Sequence, residues 1–278
     1  MDKKIITKAG IALLWMLTFC LASQCAKSSE HAKEPLTQRP QKAEPNSLDT
    51  VLKDLNKKAS ELKSYEGLIE YKYVQPLLES EALRKGILYY AKFDGKSVLR
   101  INFETLKQED EEEQKYIEHY ICDGRWLTQI NYQIKTVKRY ELAEPNKPVD
   151  AFDVASKNLP ILGFAKIEDL KKQFEIKLVE QEKSKPEDFV RLHLKVRPDS
   201  IYKDDYIWLE FWIDKKLGLP TRVVALSDEE DIYEIKFLKP KVNKEIDKKV
   251  FEFKIPPGFS KPEIVPLKKK TTPGKTGG

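Results

Sequence analysis

The chain has 278 residues, of which 34% are charged and 40% hydrophobic, with a formal charge of +5 and three cysteines. The charge lies at the ends: residues 1–26 carry +2 and residues 261–278 carry +4, leaving about −1 for the body, which excludes the basic footprint of a nucleic-acid reader. Cys20 and Cys25 lie in or beside an N-terminal apolar run, so Cys122 alone belongs to the body and an intrachain disulfide framework is excluded.

Residues 1–26 have the form of an export signal: Lys3, Lys4 and Lys8, an apolar run from Ile11 to Leu21, then small residues to Ala26. The run is too short to span a bilayer as a helix, and the segment is set aside from the fold. It predicts a periplasmic location. Cys25 offers the alternative of a lipid anchor, although Gln24 stands where lipoprotein processing wants Gly, Ala or Ser. Residues 27–46 are polar, hold three prolines and predict a disordered linker.

Ser47 can cap a helix in which Leu48, Val51, Leu52, Leu55, Ala59 and Leu62 share one face. After Ser64 the period becomes two, with Tyr65, Ile69, Tyr71 and Tyr73 alternating with Glu66, Glu70 and Lys72. Strands are predicted over Gly86–Phe93, Ser97–Phe103, Tyr116–Cys122, Trp126–Tyr132 and Thr136–Leu142. Asp94–Gly95 and Asp123–Gly124 supply hairpin turns between them. Two shorter helices, Val149–Lys157 and Ile167–Phe174, interrupt the meander. Strands resume at Phe174–Glu180, Phe189–Arg197, Tyr206–Ile213, Thr221–Leu226, Ile232–Leu238 and Val250–Ile255. The fold class is mainly β, with about 11–12 antiparallel strands and about three helices in one domain, residues 47–260. Residues 261–278 read as a disordered basic tail.

Tyr206–Ile213, Tyr116–Cys122 and Ile87–Phe93 are apolar on both alternating faces. Such strands need cover on each side, from helices on one and from self-packing or an apolar cavity on the other.

The stretch Tyr120 to Lys138, with its Asp123–Gly124 turn, resembles the paired strands of LolA-like outer-membrane lipoprotein carriers. Trp212 to Val223, with Leu219–Pro220, is similar to their aromatic strand and the entry to the next. Phe237 to Gly258, with Lys241, Asn243, Asp247, Phe251, Phe253 and Pro256–Gly258, is similar to their C-terminal ending. The resemblance spans Leu48 to Gly258. It implies an incomplete, strongly curved antiparallel barrel whose apolar concave face lies under a helical lid, and a periplasmic protein that shields the acyl chains of lipoproteins. An inner-membrane donor complex and an outer-membrane acceptor are its implied partners. Leu48, Val51, Leu52 and Leu55 are then candidates for the underside of the lid, and Ile69, Tyr71, Leu99, Ile101, Trp208 and Trp212 for the cavity. The carriers close the lid through an Arg placed before a Pro. Here the matching position is Lys92 without a proline, with Arg100 on the next strand as a substitute.

Rival readings are a lipid-sensing regulatory module of the same fold and an outer-membrane-anchored acceptor. His119 and Cys122 are three apart on a predicted strand and face opposite ways, so they do not suggest a shared metal. Glu109–Glu113 reads as a solvated loop. No acid, base and nucleophile gather, and no Gly-rich phosphate loop appears, so the expectation is a non-enzymatic protein without metal or cofactor that binds an elongated apolar ligand.

Overall fold

The computed structural model describes residues 47–144, 167–179 and 188–266. Helix α1 (Leu48–Glu61) leads into six strands that meander in sequence: β1 (Ser64–Gln75), β2 (Ser80–Phe93), β3 (Lys96–Gln108), β4 (Gln114–Cys122), β5 (Trp126–Asn131) and β6 (Thr136–Glu141). Helix α2 (Ile167–Gln173) precedes a second meander of β7 (Phe174–Leu178), β8 (Phe189–Val196), β9 (Tyr206–Asp214), β10 (Pro220–Ser227) and β11 (Ile232–Val242). The two meanders join where β1 pairs antiparallel with β11, and the short β12 (Glu263–Val265) runs parallel to β6. The result is one twelve-stranded sheet among the described residues, open at β12 and at β7 and not closed into a barrel.

Asx turns punctuate the meanders. The carboxylate of Asp123 accepts from the N–H groups of Arg125 and Trp126. Asn131 accepts from Gln133 and Ile134, and Asp214 from Lys216 and Leu217. At Asp94–Gly95 both residues have positive φ, 50° and 76°, as a tight two-residue hairpin requires.

Side chains of one parity from nearly every strand, from Ile176 on β7 to Tyr140 on β6, belong to a single cluster that also holds Leu52 and Leu55 of α1. A flat sheet of twelve strands would be ~50 Å across, at about 4.8 Å per strand. A helix about 10 Å thick touches only a fraction of that width. The sheet therefore curves around α1, with the cluster on its inner face.

The predicted strand Val250–Ile255 does not form. Asp247 caps a 3-10 turn over Lys248–Phe251 by accepting from the Lys249 N–H, and Pro256 and Pro257 then remove two backbone donors. The alternating apolar residues here point onto the outer face instead: Phe251 meets Phe93 at 5.7 Å, and Phe253 and Phe259 pack on Ile121, Ile130 and Val137. The segment continues into β12, which lies inside the stretch expected as a disordered tail. Two α-helices stand among the described residues rather than the three expected, and the candidate Val149–Lys157 lies outside them.

Candidate functional site: the inner face beneath the first helix

Ser47 caps α1 by accepting from the Thr50 N–H at 3.3 Å. Helical spacing then turns Leu52, Leu55 and Ala59 inward. Leu52 and Leu55, together with Leu62 just past the helix, are at most 2% exposed, each contributing about 1.5–3 kcal/mol through burial. Leu48 and Val51 are half-buried against the same cluster. Among the described residues, the polar ties of the helix are few. Asp49 pairs with Lys171 of α2 at 3.0 Å on the surface, where such a pair is worth ~1 kcal/mol at most. At the junction with β1, the Asn243 side chain accepts from the N–H groups of Lys63 and Ser64 and donates to the Glu61 carbonyl.

Ile69, Tyr71, Leu99 and Ile101 are all buried on the inner face. Rings run across it: Tyr71 lies 6.3 Å from Phe103, Phe103 meets Tyr120 edge-on at 6.3 Å, and Tyr73 stacks on Tyr233 at 5.0 Å. Trp208 and Trp212 face the other way. Leu209, Phe211 and Ile213 take the inner positions of β9, and the tryptophans lie half-buried on the outer face. There the Arg191 and Arg222 guanidiniums cover Trp212 at 5.1 and 4.3 Å, and His193 lies 5.7 Å from Trp208. Cation–π cover thus accounts for Trp212 on the outer side of this strand.

Neither lid-closing candidate ties the helix with its side chain. Lys92 is exposed, and only its backbone N–H reaches the helix junction, donating to the Lys63 carbonyl at 2.8 Å. Arg100 lies on the outer face, where Nη1 donates to the Val250 carbonyl at 2.7 Å and Nε to Asn102. It fastens the C-terminal segment. Its Nη2 also lies 3.2 Å from His119 Nδ1. Burial, reinforced by the Arg100 charge, pushes His119 down from 6.5 to about 4, so its ring is neutral and Nδ1 accepts. His119 and Cys122 fall on opposite faces, as strand parity requires.

Two polar groups on the inner face had no role in the sequence reading. Arg84 and Glu118, 3% and 1% exposed, form an ion pair at 2.5 Å. Gln129 donates to Glu118 at 2.8 Å and Asn131 donates to Tyr116 at 3.1 Å, completing a polar patch toward β5. The signal was parity: Arg84 precedes Leu88 and Tyr90 on β2, and Glu118 falls between Tyr116 and Tyr120. Toward β10, Tyr73 donates to the buried Asp231 at 2.5 Å. The Tyr65 and Tyr71 hydroxyls are buried without a hydrogen-bond partner among the described residues. Desolvation raises the Tyr65 hydroxyl to about 12, and burial raises that of Tyr71 further.

The site is an apolar, aromatic surface with isolated polar anchors under a helix held largely by apolar contacts. Among the described residues, no group of three His, Cys, Asp or Glu side chains is placed to hold a metal ion.

No protein-family model matches the chain. No curated protein matches it either. Similar solved structures include an uncharacterized conserved protein from Thermus thermophilus, at 12% identity and a TM-score of 0.44 over 80% of this chain and 100% of that one. The MucA/MucB complex of Pseudomonas aeruginosa is similar at 15% identity and a TM-score of 0.39 over 73% of this chain, which spans 60% of that chain's length. A LolA superfamily protein from Nitrosomonas europaea is similar at 14% identity and a TM-score of 0.33 over 73% and 97% of the two chains.

Proposed function

We propose that this protein is an exported, non-enzymatic carrier that holds an acyl chain or another elongated apolar ligand between α1 and the inner face of the sheet. In this reading it serves lipoprotein sorting, receiving cargo from an inner-membrane donor and passing it to an outer-membrane acceptor. The observation that carries it is the attachment of α1. Apolar contacts of Leu52, Leu55, Ala59 and Leu62 hold the helix to a continuous aromatic face, with Asn243 fixing only its C-terminal junction. An apolar chain can replace such contacts in kind, at about 0.8 kcal/mol per buried methylene. Ligand entry and helix displacement are then one coupled equilibrium.

The test is to purify the protein from the periplasm, extract it with organic solvent and look for lipid by mass spectrometry. Transfer of a labelled lipoprotein from donor membranes is followed in parallel. Co-purified lipid or accepted cargo is the expected result; neither bound lipid nor transfer would remove the carrier reading.

A further inference from the structure

The phenols of the inner face differ in one respect. The Tyr73 hydroxyl donates to Asp231 at 2.5 Å, that of Tyr116 accepts from Asn131 at 3.1 Å, and that of Tyr120 accepts from Gln129 at 3.3 Å. Among the described residues, two others lack a partner, those of Tyr65 and Tyr71. Tyr65 is screened by its own strand, since a Cβ placed on Gly67 would lie 2.7 Å from its hydroxyl. Tyr71 is 3% exposed and sits mid-strand, opposite Arg84 on β2 and Ile235 on β11. A buried donor left unmade is costly, and a tyrosine in such a place would fold more favourably as phenylalanine.

The charges around it narrow what an incoming acceptor can be. Arg84, the cross-strand neighbour, is already neutralised by Glu118, so a carboxylate here would be a buried charge without a counter-ion. A neutral carbonyl brings an acceptor and no charge. We propose that the Tyr71 hydroxyl donates to the carbonyl oxygen of an acyl ester or amide at the head of the bound chain, and that the inner face thereby prefers acylated molecules to free fatty acids. This rests on the carrier reading above and names its ligand class.

The experiment uses the mature chain and its Tyr71→Phe variant, with displacement of a fluorescent naphthylamine probe by monopalmitoylglycerol, by palmitate and by hexadecane delivered from cyclodextrin. Wild type should bind the ester more tightly than palmitate. Tyr71→Phe should weaken the ester by about 2- to 12-fold, the worth of one hydrogen bond, leave hexadecane unchanged and unfold at no lower denaturant concentration. If all three chains bind but the variant treats the ester as wild type does, or if wild type binds palmitate as well as the ester, the Tyr71 assignment is overturned and the carrier reading stands. Failure of every chain to displace the probe overturns both.

Discussion

Arg84 and Glu118 face each other at 2.5 Å across β3, which separates their strands, and both are almost wholly removed from water. Removing one partner leaves the other charge buried. Arg84→Met or Glu118→Leu alone should therefore destabilise the protein by about 3–5 kcal/mol, while the double substitution should recover most of that loss. Denaturant unfolding of all four members of this cycle checks the expectation; additive single losses would contradict it.

His119 supplies a dependence on pH. Its folded value of about 4 lies below the ordinary 6.5, so the unfolded chain takes up a proton before the folded one does. The stability this contributes is fully present above pH 6.5 and is lost as pH falls from 6.5 toward about 4. Arg100 and Glu104, at 3.2 and 3.7 Å, are the charged groups paired with the ring. Wild type should lose more stability than His119→Gln between pH 7 and 4.5, measured by urea unfolding at both values. Equal losses would show that the ring is not held neutral.

Two glycines on or beside β2 should respond differently to alanine. A Cβ on Gly86 would come 1.9 Å from the Asn102 carbonyl oxygen, at the bulge where β2 and β3 change register. Gly86→Ala should cost about 3 kcal/mol or more, because backbone must move. Gly95 has φ +76° and open space around it, so Gly95→Ala should cost only about 1–2 kcal/mol, the penalty of the left-handed conformation. Thermal unfolding of the pair ranks them.

The carrier reading can be locked. A Cβ on Gly218 would lie 3.4 Å from the Cβ of Lys58 on α1, close to the ~3.5–4.5 Å a disulfide spans. The left-handed backbone at Gly218 adds about 1–2 kcal/mol of strain. Lys58→Cys with Gly218→Cys should take up no apolar probe when oxidised and regain uptake after reduction. Uptake by the oxidised form would place the ligand elsewhere than beneath α1.

How far the sequence revealed this arrangement depended on how local each signal was. The faces of α1 and β1 were legible because helical and two-residue periods act within one element, and Ile69, Tyr71, Leu99 and Ile101 came out buried on the inner face. Trp208 and Trp212 were misplaced because β9 is apolar on both sides. The arginines that cover Trp212 come from β8 and β10, and sit beside it only once register is set. Arg84 and Glu118 were missed for the same reason. Parity put each on the inner face, but their pairing shows only once β3 sets β2 and β4 on either side of it. Val250 to Phe253 carried a strand-like alternation because their apolar side chains point onto the outer face; Asp247 and the two prolines decided against pairing.

The seam between β1 and β11 has a kinetic consequence. Each meander can form from neighbouring hairpins, but Tyr73 and Tyr233, opposite each other across the seam, are 160 positions apart in the chain. Closing a loop of that length carries its entropic cost before any contact repays it, and such pairings are slow. During synthesis the first meander therefore waits with β1 as an open edge until residues near Val242 arrive. Until then the aromatic surface is only half assembled and exposed to aggregation, so the same seam sets both the time at which the inner face is complete and the interval in which the chain is most exposed to misassociation.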